Sequence, residues 1–208
     1  MTELEPEAVA RLVRGGALAV ARRLLGARLV HESHEGRTVG RIVETEAYLA
    51  DDAASHSFRG PTGRNRAMFL GAGHAYVYRI YGLHLCLNVV TGRAGHGEAV
   101  LLRALEPLEG IELMAARRGT DRLRDLCSGP AKLAQAMGVR PEHDGADLAH
   151  GRLRLIPESG GTRPEVAVTP RIGITRAADR PLRFLVAGSP WLSRPGAPRE
   201  ARLDPPRA

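Results

Sequence analysis

The chain has 208 residues, 43% hydrophobic and 25% charged, which suits one globular domain and excludes a disordered polypeptide. Its net charge of +7 and sequence pI of about 10.3 favour an anionic partner, nucleic acid first. Arginine-biased codon usage gives the same balance, however, since Lys132 is the single lysine among 30 basic residues.

No apolar run approaches the ~18 residues of a membrane span, so no membrane association is expected. Gly15 to Leu25 is interrupted by Arg22-Arg23 and does not read as a signal peptide, which leaves a cytoplasmic location as the expectation. Cys86 and Cys127 form neither a disulfide framework nor a metal-ligand spacing. His31-Glu32-Ser33-His34 is too short and loop-like for zinc. No metal and no other cofactor is expected.

Thr2 to Leu25 reads as helix, with Thr2 and Glu5 at capping-box spacing and Gly15-Gly16 placed to split it. Gly26 ends this segment, and Ala27 to Glu32 follows as a strand. Glu35-Gly36 marks a turn into a second strand, Arg37 to Tyr48. Period-2 alternation puts Ile42, Glu44, Glu46 and Tyr48 on one face and Val43, Thr45 and Ala47 on the other. Carboxylates beside an aromatic, opposite a small apolar face, are an odd pattern for a purely structural strand.

Leu49 to Arg66 has loop composition, and a loop of this length in a compact domain is usually functional or disordered. Its Arg59, Arg64 and Arg66 suit phosphates, although a solvated charged loop is the commoner outcome. Ala75 to Ile80 and Leu83 to Val90 read as the arms of a hairpin with Tyr81-Gly82 at its tip. All 4 tyrosines lie between Tyr48 and Tyr81 in a chain with only 4% aromatic residues. Ala99 to Leu105 is an apolar run broken by Arg103, which must be paired or reach the surface, with Glu44 and Glu46 as candidate partners.

Pro107 to Arg118 has helical apolar spacing. Ser128-Gly129-Pro130 opens another helix that Gly138 stops. Leu153 to Ile156, Val166 to Thr175 and Leu182 to Val186 read as strands, and Gly188-Ser189-Pro190-Trp191 as a compact turn. The boundaries expected are one domain over residues 1–193 and a frayed Pro- and Arg-rich tail over 194–208.

Taken together, these motifs resemble the alkyladenine (3-methyladenine) DNA glycosylase family, the type without a helix-hairpin-helix. The carrying segments are Arg41 to Tyr48, Arg64-Asn65-Arg66, Met68-Phe69, Tyr76-Val77-Tyr78, Ile80-Tyr81-Gly82, Leu101 to Gly110, Cys127 to Leu133, Pro181 to Phe184 and Gly188 to Trp191. They run in family order over residues 16–193. Gly63, where relatives often carry proline, and His84, where the mammalian form has tyrosine, depart from the pattern.

The resemblance implies an α+β fold: one mixed domain, a curved antiparallel sheet with surrounding helices and a protruding hairpin. It implies a monomeric, monofunctional enzyme that flips a damaged purine out of double-stranded DNA and hydrolyses its N-glycosidic bond. Glu46 matches the general base, and Arg103 a group that fixes the attacking water. Tyr48 and Tyr78 match the rings that sandwich the base, with His56 closing the pocket. Asn88 matches a pocket residue that crowds the exocyclic amino group of guanine. Tyr81 matches the residue that fills the gap in the base stack. Beside these, Arg64, Arg66, Arg79, Lys132 and Ser189 are expected to contact the DNA backbone. On the residues alone, a non-catalytic nucleic-acid binding module and a small-molecule glycoside hydrolase remain open.

Overall fold

Strand β2 (Gly36–Tyr48) is the axis of the molecule. The computed structural model describes residues 4–158 and 163–194. The first half of β2 pairs with β1 (Arg28–Ser33) across the Glu35-Gly36 turn, and most of its length with β5 (Glu98–Glu109). At Glu44, Thr45 and Glu46 it pairs with β8 (Arg183–Val186) on its other edge. The segment carrying both carboxylates therefore has a strand on each side. Its backbone polar groups are engaged in the sheet and its side chains are committed to the two faces.

Among the described residues the sheet has eight strands, ordered β3-β4-β5-β2-β1-β6, with β8 on β2 and β7 on β8. Here β3 is Ala75–Ile80, β4 His84–Thr91, β6 Leu153–Ile156 and β7 Val166–Thr169. Every pairing is antiparallel. Register shifts between β2 and β5 at Val39/Gly40 and on both sides of Glu44 bend and twist these strands. This is the curved antiparallel sheet of an α+β domain.

Helices α1 (Leu4–Val13), α2 (Ala17–Arg23), α3 (Ile111–Arg118), α4 (Leu123–Leu126) and α5 (Pro130–Ala136) complete the fold. The main core joins Val20 and Leu24 of α2 and Leu133 of α5 to Leu29, Ile42, Leu102, Leu105 and Phe184 of the sheet. Each large apolar side chain buried there contributes about 1.5–3 kcal/mol. The start of α2 has no side-chain cap of its own. The Ala17 amide instead donates to Glu98 Oε2 at 2.9 Å, so a carboxylate on β5 fills that role.

Several sequence expectations are corrected. Ile42 does not share the carboxylate face. It lies in the main core with Ala47, while Val43 joins Ala104, Leu185 and Leu192 on the other side. The irregular register around Glu44 shifts the alternation, which a strict period of two cannot foresee. The helix expected from Pro107 begins only at Ile111, because β5 continues to Glu109 with Pro107 opposite Gly40. Gly110 makes the break. It has φ 71°, and a Cβ there would lie 2.2 Å from the Arg37 carbonyl oxygen.

The strand expected over Val166 to Thr175 ends at Thr169, followed by Pro170, which lacks a ladder donor. Short helix α4 has no counterpart among the sequence expectations. Thr2 of the expected capping box and residues 195–208 of the expected tail lie outside the described residues.

Candidate active site

One cross-strand row organises the site. Tyr76 on β3 stands opposite Asn88 on β4, Asn88 opposite Leu101 on β5, Leu101 opposite Glu46 on β2, and Glu46 opposite Arg183 on β8. Directly opposed residues share a sheet face. Strand pairing alone thus brings a phenol, an amide, an apolar floor, a carboxylate and a guanidinium into line from five positions spread over the chain.

The two carboxylates occupy different environments. Glu44 accepts from Arg103 Nε at 2.9 Å, Arg183 Nε at 2.7 Å, and the Ser193 amide and hydroxyl at 2.6 and 2.7 Å. Leu192 and Ser193 roof it, beside the small apolar cluster of Val43, Ala104 and Leu185. Burial pushes its pKa up, but the bonds from Arg183 and Ser193 outweigh that and hold it below the ordinary value. Glu44 is saturated and structural.

Glu46 faces the tyrosines. Its Oε1 accepts the Ile172 amide at 2.8 Å and lies 3.2 Å from an Arg103 terminal nitrogen, while Oε2 accepts the Tyr48 hydroxyl at 3.0 Å. A carboxylate offers roughly four acceptor positions. One remains for a further donor such as water. Arg103 bridges both glutamates. Burial disfavours its charge, yet Glu46 and then Glu44 raise its pKa, so it stays a cation. The arginine expected to need a partner has two.

A cluster of aromatic side chains lies beside this network. Tyr76 and Tyr78 stack at 5.5 Å between centroids, as residues two apart on one strand face should. The His56 ring stands edge-on to Tyr78 at 4.6 Å, and its Nδ1 is 2.9 Å from the Tyr76 hydroxyl. Burial lowers the His56 pKa and favours the neutral imidazole. Asn88 donates to the Tyr76 carbonyl at 3.0 Å, which fixes its amide in the row. The loop bearing His56 is clamped by buried Asn65, whose side-chain amide donates to the His56 and Gly60 carbonyls at 2.8 and 3.1 Å. Its neighbours Arg64 and Arg66 are thereby left exposed.

The remaining candidates lie outside the cluster. Tyr81 tips the hairpin at 85% exposure, with φ 52° followed by Gly82 at φ 72°. A bulky residue at positive φ is strained. Leu83, 78% exposed, is a second apolar tip residue that sequence reasoning passed over. Exposed Arg79 reaches back to the Gly82 carbonyl at 3.4 Å. Lys132 is held 3.2 Å from Asp125 and 3.3 Å from the Ser128 hydroxyl. Ser189 lies on the turn after β8, at a separate cavity of about 370 Å³ bounded also by Arg41, Glu106 and Trp191.

Sequence reasoning also missed Leu101, Arg171, Asp52 and Ser193. Leu101 was legible in principle, since it is two residues from Arg103 on one strand. The others depend on partners more than a hundred residues away.

The chain matches the family model described as methylpurine-DNA glycosylase over residues 11–190. It is 56% identical over 182 residues to a protein of Methanoculleus marisnigri, covering 85% of this chain and 93% of that one. It is 51% identical over 190 residues to a protein of Agrobacterium fabrum, covering 91% and 93%. A protein of Nitrosospira multiformis is 51% identical over 177 residues, covering 85% and 88%. All three bear the name "Putative 3-methyladenine DNA glycosylase".

Proposed function

The chain belongs to the methylpurine-DNA glycosylase family and is a DNA glycosylase, and on that premise we propose that it extracts alkylated or deaminated purines from duplex DNA and hydrolyses their N-glycosidic bond with a Glu46-activated water. The substrate class is 3-methyladenine, 7-methylguanine, hypoxanthine and ethenoadenine, and the protein acts as a monomer in base excision repair. The observation that carries this reading is Glu46, held by three partners beside the tyrosine cluster with acceptor capacity to spare.

Base flipping costs a few kcal/mol for unpairing and unstacking, least where damage has already weakened the pair. Tyr81 offsets part of that cost by entering the stack from the hairpin tip. The flipped purine lies between Tyr48 and the His56–Tyr78 pair, with Asn88 limiting what fits beside it. Glu46 is fully buried in the free protein. The entering base therefore parts the side chains over it and excludes bulk water as it seats. Bond cleavage leaves the sugar oxocarbenium-like. The departing purine keeps the electrons of the glycosidic bond, and the Glu46 carboxylate stabilises the sugar's charge and takes the proton of the attacking water, which then passes to solvent or to a base that leaves as an anion, while Arg103 fixes the orientation of the carboxylate. Arg64, Arg66, Arg79, Lys132 and Ser189 hold the DNA backbone.

The reading predicts release of hypoxanthine from a single-site duplex whose strand stays intact until alkali is added. No borohydride-trapped adduct should form: a lyase needs a free amine nucleophile, and besides the N-terminal amine the sequence offers only Lys132, which is engaged by Asp125 and Ser128. An intact base after incubation, or a trapped covalent adduct, would refute hydrolysis by an activated water.

Binding should depend strongly on salt. Neutralising Arg64 or Arg66 should lower the log–log salt slope by about 0.9 for each phosphate that the side chain neutralises. A slope unchanged in both variants would take these side chains out of the DNA interface.

Tyr81→Ala should shift the flipping equilibrium of a fluorescent base toward the stacked state by about tenfold, as expected if a wedge offsets part of a cost of a few kcal/mol. The cleavage step of base already captured should change much less. An unshifted equilibrium would reduce Tyr81 to an exposed turn residue.

A further inference from the structure

Against the ring of Tyr48 lies a buried ion pair to which the mechanism gives no part. Arg171 follows Pro170 in the segment that leaves β7, and its side chain is wholly enclosed together with that of Asp52. The two are joined by a bidentate salt bridge, one branch of which measures 3.1 Å. Arg171 also donates to the Ala47 carbonyl at 3.0 Å and the Ala177 carbonyl at 3.3 Å. Its guanidinium carbon lies 4.6 Å from the centroid of the Tyr48 ring, in cation–π contact with one face. The next residue, Ile172, gives its amide to Glu46.

Fold stability alone accounts poorly for this arrangement. Desolvation of two charges cancels much of their attraction, and well-packed apolar residues of similar volume often serve as well. Among the described residues, Arg171 Nε is buried with no hydrogen-bond partner, a further cost. The geometry does suit an electrostatic task. An aromatic ring has two faces, and Arg171 occupies one of those of Tyr48. A base stacked on the other face would lie one stacking distance beyond a ring whose centroid is 4.6 Å from the guanidinium carbon, within the field of a positive charge that Asp52 only partly neutralises. Such a charge draws on the same ring electrons that would attract a cationic base. A neutral purine, held by dispersion and apolar contact, feels it far less.

We propose that Arg171, locked by Asp52 behind the ring of Tyr48, is a specificity-determining residue that sets the balance between cationic and neutral damaged purines. It restrains the preference for cationic bases that a bare tyrosine sandwich would show, and so keeps neutral lesions within the substrate range. The charge of the Arg171–Asp52 pair, rather than its bulk, is what acts. This inference rests on the reading that the flipped base stacks on Tyr48.

The test compares single-turnover release of 7-methylguanine, in its cationic form slightly below neutral pH, with release of neutral hypoxanthine from otherwise identical duplexes. The proteins are the unsubstituted chain, Asp52→Asn, Arg171→Lys, and the combination Arg171→Gln with Asp52→Asn, each normalised to its folded fraction. Removing both charges should raise the cationic-to-neutral ratio above the unsubstituted value. Asp52→Asn, which leaves the arginine uncompensated, should lower it. About fivefold should separate these extremes, within the range a cation–π contact is worth. Arg171→Lys, which keeps the charge, should hold the ratio near the unsubstituted value.

A structural pair would lower both rates together and leave the ratio alone, and that result overturns the proposal. If the combined variant does not fold, Asp52→Asn decides alone: a ratio that fails to fall overturns it. Release of neither base by the unsubstituted protein would instead sink the functional reading and this inference with it.

Discussion

Glu46→Gln should bind damaged duplex with near-normal affinity while releasing its base about 10²–10⁴ times more slowly, the usual cost of losing a general base. Glutamine keeps the length and one carbonyl oxygen, so the Tyr48 hydroxyl, the Ile172 amide or a water can still find an acceptor. It cannot take a proton from that water at neutral pH. It also removes the negative charge that faces the developing oxocarbenium, which adds to the loss. Affinity should persist because stacking and backbone contacts are unchanged. Excision under single-turnover conditions and binding of the same duplex, measured together, separate the two effects. A joint collapse of both would mean that Glu46 holds the pocket together rather than running its chemistry.

The largest expected stability effect belongs to the other carboxylate. Glu44→Gln leaves Arg103 and Arg183 buried around a neutral amide, and one end of that amide presents donors to donors. Breaking a buried pair in this way costs about 3–5 kcal/mol. In a domain of this size that lowers the melting temperature by roughly 10 °C. A calorimetric shift under about 2 °C would mean that the arginines find other partners.

The effect also carries a pH signature. The Glu44 pKa is lowered on folding, with burial opposing the shift and the Arg183 and Ser193 bonds exceeding it. Its contribution is therefore complete above the unfolded carboxyl pKa and lost as pH falls through the lower folded value. Stability of the unsubstituted protein should fall through that acid window by a component that the Glu44→Gln curve lacks.

Much of this architecture was legible from local pattern. The turn at Glu35-Gly36, the β2 strand, the hairpin around Tyr81-Gly82 and the Pro130-to-Gly138 helix all carry short-range signals. So did the demand that Arg103 find a carboxylate. The failures have a common cause. The register shifts at Glu44 reflect how β2 fits β5, and nothing in β2 alone announces them. The extension of β5 past Pro107 depends on Gly40 and Val39 being there to pair. Asp52 read as a loop acid and Arg171 as a strand residue, because the bonds that give them meaning join positions 119 residues apart. Periodicity reports which face a residue takes, but it cannot report which distant charge will meet it there.

The most direct measurement is single-turnover release of hypoxanthine from one duplex by Glu46→Gln and Glu44→Gln side by side, each normalised to its folded fraction. Folded Glu46→Gln should lose about 10²–10⁴-fold in rate while still bound to DNA. Folded Glu44→Gln should stay within about tenfold of the unsubstituted protein, since its carboxylate acts through Arg103 and not on the water. Near-normal release by Glu46→Gln, or a loss confined to Glu44→Gln, would contradict the assignment of the catalytic base.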